Sequence, residues 1–261
     1  MKKVLTIAGS DSSGGAGIQA DIKTMTVLGT YAMSCICALT AQNTLGVYDI
    51  LEVTPSHLHE QLKAVFEDIF PDAIKIGMVF SSGLAHQIAE DLKHYNAQNI
   101  VLDPVMVSTS GKKLICDDAI ETIKSELFPL ARVITPNIPE GEELSSMKIS
   151  NEADLKECAG LLGEKYSVAV LLKGGHLTDT ANDYLYENGE FTVFKSNHIA
   201  TENTHGTGCT LSSAIAAHLA KGEDLKTAVR HAKEYICGAL NDGMDIGHGN
   251  GPLNHGYLIK G

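Results

Sequence analysis

The sequence predicts an α/β fold, a mainly parallel central sheet with helices on both faces, and two observations carry that expectation. Short continuous apolar runs alternate with stretches of helical period along most of the chain, the pattern of strands buried on both sides and joined by crossover helices. Polar and glycine-rich segments follow those apolar runs, where open sheets of this class bind ligands. No internal repeat or linker breaks the alternation, so residues 1–261 read as a single domain.

Val4 to Ala8 is the first strand, stopped by Gly9. Gly9-Ser10-Asp11-Ser12-Ser13-Gly14-Gly15-Ala16-Gly17 follows, then a helix near Ile18–Leu28 with Asp21 on its first turn. Three readings of this loop compete. A Walker A loop fails, because Gly14 is followed by Gly15-Ala16 and not by Lys-Ser/Thr. Gly15-Ala16-Gly17-Ile18-Gln19-Ala20 fits a dinucleotide fingerprint, but the next strand, near Tyr31–Leu39, ends in Thr40-Ala41-Gln42 without the required carboxylate. The third reading is a flexible loop closing over a small substrate. Gln42, placed after that strand, offers the donor and acceptor needed to read a nitrogen heterocycle, or else serves only a turn.

Ile50 to Val53 reads as a strand and Pro55 starts a helix to about Phe70. Strands near Ala73–Met78, Asn99–Leu102, Arg132–Thr135 and Val168–Leu172 then alternate with helices near Leu84–Tyr95, Asp118–Leu127 and Glu152–Lys165, with a turn over Pro136–Glu140. Asp183–Glu187 and Glu190–Phe194 around Asn188-Gly189 predict a hairpin at the sheet's edge. Gly9, Gln42, Met78, Asp103, Asn137 with Glu140, and Lys173 with His176 all sit at strand exits and are expected to converge. Lys173 is suited to a nucleotide phosphate, and Asp103 and Glu140 to Mg²⁺, directly or through its waters.

Asn203-Thr204-His205-Gly206-Thr207-Gly208-Cys209-Thr210 turns into an Ala-, Leu- and Ile-rich helix reaching about Ala220. The unpaired amides and positive end of such a helix bind anions, and glycines let a phosphate approach. Cys209 there is expected to have its thiolate favoured, fitting it to take a proton from a hydroxyl or to attack directly. The competing reading is a buried, inert cysteine in a capped core helix. A packing helix near Glu223–Leu240 and a loop Gly247–His255 close the chain; His248 and His255 make a metal pair conceivable, but the reading preferred is a turn near the active site or an interface.

The formal net charge of −12 argues against nucleic-acid or acidic-membrane partners, so an anionic substrate must be held by local donors. The N-terminal apolar run stops at Gly9, too short for a signal peptide, which predicts a cytoplasmic protein. The six cysteines show no CxxC pair and are expected to be free thiols, Cys35 and Cys37 in the core.

Taken together, the motifs Ala8–Asp21, Ala41-Gln42-Asn43-Thr44, Asp103-Pro104-Val105-Met106, Thr135-Pro136-Asn137, Lys173-Gly174-Gly175-His176 and Asn203–Thr210 closely resemble hydroxymethylpyrimidine/phosphomethylpyrimidine kinases of the ribokinase-like superfamily. The resemblance implies Mg-ATP-dependent phosphorylation of 4-amino-5-hydroxymethyl-2-methylpyrimidine and then of its monophosphate, in a homodimer. It implies that Gly206, Thr207, Gly208 and Cys209 form the catalytic anion hole, and that Thr207 and Gly208 with Lys173 and Asn137 hold ATP. Gln42, Gly9, Asp21, Met78 and Val105 are implied around the pyrimidine, with Asp103 and Glu140 at Mg²⁺. A pyridoxal kinase, sharing the glycine loops and the cysteine, is the rival reading.

Overall fold

The computed structural model describes residues 1–107, 114–175 and 181–259. Its centre is β1 (Lys3–Asp11), flanked in parallel by β2 (Tyr31–Asn43) and β4 (Ala73–Ile76). β5 (Ile100–Leu102), β6 (Val133–Ile134) and β7 (Ala169–Lys173) continue the parallel series. Antiparallel strands complete both sides: β3 (Gly46–Glu52) pairs with β2, and β8 (Asp183–Glu187) and β9 (Glu190–Phe194) follow β7. The nine-stranded order is β3-β2-β1-β4-β5-β6-β7-β8-β9. The strand series reverses beside β1, and there the chain leaves a crevice at the carboxyl ends of the strands.

The parallel strands are short and apolar on both faces because helices cover both. One layer comprises α2 (Pro55–Asp68), α3 (Ser82–His94), α4 (Asp117–Thr122, continued by a π turn to Leu127), α5 (Ile138–Ser145) and α6 (Glu152–Tyr166). It packs on Leu5, Ile7, Ile74, Ile76, Ile100 and Leu102. The opposite layer of α1 (Gly17–Val27), α7 (Thr207–Ala220) and α8 (Leu225–Asn241) packs on Val4, Ala73, Val101, Val133 and Leu171. Adjacent strand residues thus serve opposite cores, which is why these segments read as unbroken apolar runs. Helix α7 is buried over most of its length, with Ala214, Ile215, Ala216 and Ala217 at no exposure, so its first turn is held rigidly against the strand ends.

The β8–β9 hairpin forms as predicted, with Asn188 and Gly189 at φ 52° and 82°, the left-handed pair that a two-residue turn needs. Two local expectations are corrected. β2 runs through Gln42 and Asn43, and β3 starts at Gly46, so Gln42 lies in a ladder opposite Val47 and not in a turn beyond the strand. The segment read as a turn over 136–140 opens helix α5: Asn137 and Glu140 form a reciprocal capping box with Pro139 in the first turn. Cys35 and Cys37 are wholly buried, and burial pushes the Cys35 thiol up to about 12.

Candidate active site

Two loops and the start of α7 build the site. The loop after β1 is organised by Asp11, whose carboxylate accepts from the amides of Ser13 (2.8 Å), Gly15 (3.0 Å) and Ala16 (2.8 Å), the Ser13 hydroxyl (2.7 Å) and His205 Nε2 (2.8 Å). These donors outweigh burial and hold the Asp11 carboxyl down at about 2. The loop lies directly on the α7 start. A Cβ on Gly206, already at φ 85°, would stand 1.9 Å from the Gly15 carbonyl oxygen, so only glycine closes this junction. The Gly17 amide, at the head of α1, favours the Cys209 thiolate as the start of α7 does, so two helix N-termini act on the sulfur.

Gly206 caps α7 without a side-chain acceptor, leaving first-turn amides such as those of Gly208 and Cys209 without intrahelical partners by construction. Thr207 turns its hydroxyl back to the Thr204 carbonyl (2.7 Å), and Thr210 meets His255 Nε2 at 3.0 Å. The closing loop therefore braces the cradle. His255 is buried and meets Thr210 on α7, whereas the His248 and Gly249 amides donate to the Thr44 hydroxyl on the β2–β3 turn.

On the donor side, a Cβ at Gly208 would lie 3.3 Å from both Asp103 Oδ2 and Lys173 Nζ. Asp103 Oδ1 accepts from Lys173 Nζ (2.9 Å) and from the Thr135 hydroxyl (2.9 Å). Asp103 Oδ2 faces the α7 start. Asn137 bridges to Lys173 in the sheet direction, but its side-chain oxygen is taken by the Glu140 amide at 2.9 Å. Glu140 Oε2 returns the bond to the Asn137 amide (2.8 Å), and burial, with Asp103 adding to it, raises the Glu140 carboxyl to about 7 against the pull of Lys173. This crowding of carboxylates is what a divalent cation relieves, so the residues fit Mg²⁺. Asp103 Oδ2 is the open donor; Glu140, engaged with the backbone, is placed to act through water.

On the acceptor side, a Cβ on Gly9 would meet Met78 Cε at 3.2 Å, and Met78 packs with Ala38, Val47, Leu114 and the half-buried Val105. Gly9, Met78 and Val105 are thus brought together along an apolar wall. Gln42 stands nearby, with Nε2 3.2 Å from His205 Nε2 and Oε1 3.2 Å from the Thr40 hydroxyl. Thr40 donates to the Ser10 carbonyl (2.9 Å), and an ionised Asp11 only accepts, so His205 Nε2 carries the hydrogen. The valences close only with the Gln42 amide turned over, its oxygen toward His205 and its nitrogen toward Thr40.

The structure places two predicted residues differently from the sequence reading. Asp21 is fully buried, and its carboxylate is taken up by the Thr6 hydroxyl (2.6 Å), the Ser213 hydroxyl (2.6 Å) and Lys75 Nζ (2.9 Å). It stands behind the site and does not border open space. Cys209 does not have its thiolate favoured: burial, with Asp21 and Asp103 adding to it, outweighs Lys75 and the Gly17 amide and raises the thiol to about 11. His176 lies outside the described residues.

Sequence reasoning missed Lys75, Asp11 and His205. Lys75 is wholly buried in β4, and Asp21, with Asp103 adding to it, outweighs that burial and keeps its ammonium charged. A lysine inside a four-residue apolar strand was a readable signal, since such a charge must find a partner.

An anion cradle at a helix start, flanked by a lysine–carboxylate cluster at the strand ends, defines this α/β protein as a small-molecule kinase. The phosphomethylpyrimidine kinase family model matches residues 11–254, and the chain belongs to that family. It is 42% identical to the hydroxymethylpyrimidine/phosphomethylpyrimidine kinase of Bacillus subtilis, over 97% of this chain and 94% of that one. It is also 49% identical to the thiamine biosynthesis bifunctional protein ThiED of Geobacter sulfurreducens, over 97% of its own length but only 52% of that larger protein. Among solved structures, phosphomethylpyrimidine kinase from Clostridium difficile superposes with a TM-score of 0.82 at 47% identity, covering 91% of this chain and 98% of that one. The Bacillus subtilis pyridoxal kinase, in an ADP complex, superposes at 0.92 with 35% identity, covering 99% and 98%.

Proposed function

We propose that this chain transfers the γ-phosphoryl group of Mg-ATP to the hydroxyl of 4-amino-5-hydroxymethyl-2-methylpyrimidine and then to the resulting monophosphate, as a step of thiamine biosynthesis. The observation that carries the reading is the placing of Gly208 beside Asp103 and Lys173, with His205, next to Gly206, joined to Gln42. The pyrimidine edge pairs with Gln42, while Gly9, Met78 and Val105 enclose the ring. Lys173, the Asn137 region and the open Gly208 amide take the phosphates, with the Thr207 amide, which donates to the Thr204 carbonyl at 3.2 Å, holding the loop beside them. Asp103, with Glu140 acting through water, would hold Mg²⁺, which would supply charge neutralisation at the transferring group.

Catalysis rests on alignment and on donors preset toward the equatorial oxygens. The acceptor hydroxyl loses its proton late, once the forming phosphorus–oxygen bond has acidified it. Cys209 accepts that proton from its thiolate fraction, which grows as pH rises toward the thiol's value of about 11. Turnover should therefore climb on the alkaline side. Cys209→Ala should lower kcat at least tenfold, abolish that climb and leave nucleotide affinity near its original value; turnover within a few-fold of the parent refutes the role.

We also place the protein in the cytoplasm as a homodimer. Among the described residues no helix is long and apolar enough to cross a membrane. Leu39 and Leu51 face each other in the β2–β3 ladder, 45% and 64% exposed, with Tyr48 at 63% nearby. An apolar edge strand of this kind needs a cover, and sedimentation of the pure chain tests it. The decisive experiment for the activity is mass spectrometry of products from the hydroxymethylpyrimidine with Mg-ATP, run beside pyridoxal. Mono- and diphosphate of the pyrimidine support the reading; phosphorylation of pyridoxal alone overturns it.

A further inference from the structure

The far end of α7 carries a second cluster of ligating side chains, about 13 Å of helix axis from Cys209 at 1.5 Å per residue. His218 lies in the last turn of α7, Glu223 in the turn to α8 and His231 on α8. Each imidazole presents Nδ1 to a different oxygen of the same carboxylate, His218 at 2.9 Å and His231 at 2.8 Å. One donor atom from each of the three residues lies within 4.8 Å of the others. The backbone pins this arrangement: Gly222, at φ 91°, turns the chain so that the Glu223 amide donates back to the His218 carbonyl at 3.3 Å.

We propose that His218, Glu223 and His231 bind a divalent cation of the Zn²⁺ class, which staples α7 to α8. Two imidazoles and one carboxylate are the mixed nitrogen–oxygen set that Zn²⁺ and Co²⁺ accept in tetrahedral geometry with water as the fourth ligand, whereas Mg²⁺ prefers oxygen alone. The cation replaces the two Nδ1 hydrogens now facing the carboxylate. Each imidazole carries its hydrogen on Nε2 instead, so both rings stay neutral and no net proton is released. His218, buried at 8% exposure, is held with Nδ1 against the Glu223 carboxylate, so its ligating atom is fixed in place. In a tetrahedral site two zinc–nitrogen bonds hold their nitrogens about 3.4 Å apart. The ligand atoms here lie within 4.8 Å of one another, and His231, with its side chain 40% exposed, has room to swing inward by the ångström or so, about 1.4 Å at most, that closes the site.

The test is calorimetric titration of the ATP-free protein with ZnCl₂, paired with thermal melts. The parent should bind one ion and melt higher with zinc. His231→Ala and Glu223→Gln should each weaken binding at least tenfold and cancel the rise in melting temperature, while Cys209→Ala keeps both. MgCl₂ in place of zinc should leave these three side chains unaffected. Equal zinc affinity in the parent and both variants, loss of the ion in Cys209→Ala, or no binding at millimolar zinc overturns the proposal. The Glu223→Gln variant retains a partner for both imidazoles, which separates lost ligation from a lost fold.

Discussion

The site holds two aspartate–lysine pairs at the same 2.9 Å separation, and they do opposite things. Asp21–Lys75 is sealed, with neither side chain exposed, and Asp21's remaining acceptors are spent on Thr6 and Ser213. Asp103–Lys173 opens onto the cleft, its lysine side chain 15% exposed and one aspartate oxygen facing Gly208. Both act electrostatically on Cys209. Distance alone therefore says nothing about role. A pair with every valence closed is framework, and one with an oxygen left over is a handle for a ligand.

The largest effect that tests this contrast is on folding. Lys75→Met leaves Asp21 buried without its counter-charge and should cost about 3–5 kcal/mol in urea denaturation. A loss below about 1 kcal/mol would mean that the sealed pair is not framework. Lys173→Met also leaves a buried carboxylate, Asp103, without its counter-charge and should cost some stability, but its signature is a kcat lowered by roughly 10²–10³-fold, as expected for a donor aimed at developing charge; an unchanged kcat places the handle elsewhere. His205→Ala frees the Gln42 amide and should raise KM for the pyrimidine by about tenfold, worth one buried hydrogen bond, with kcat changing less. Combined with Gln42→Ala it should add almost nothing.

The smallest effect concerns pH. Because the folded Glu140 carboxyl sits at about 7 against an ordinary 4.5, the native state binds the extra proton and stability falls as pH rises through that window. Mg²⁺ relieves the charge, so its effect on melting temperature should be larger at pH 8 than at pH 6. Glu140→Gln should make the two equal; a pH difference that persists in the variant assigns it to another group.

The strands and most helices were legible because each is a local pattern, an apolar run or a stripe of helical period. Helix α5 was legible too, in the Asn137…Glu140 capping signature, but two prolines drew the reading toward a turn. The missed site residues are non-local. Asp11 meets His205 across 194 positions and Asp21 meets Lys75 across 54, and no spacing rule links them. Cys209 shows the same limit from the other side. The helix start that favours its thiolate is written in neighbouring residues, whereas the desolvation and distant carboxylates that outweigh it come only with the fold.

The Gly15–Gly206 junction bears on how this protein can change. Because one position demands both a left-handed backbone and the absence of any side chain, no single replacement at Gly206 has a nearby compensating partner. The apolar Met78–Val105 wall carries no such double demand, so side-chain change is easier there than at the start of α7.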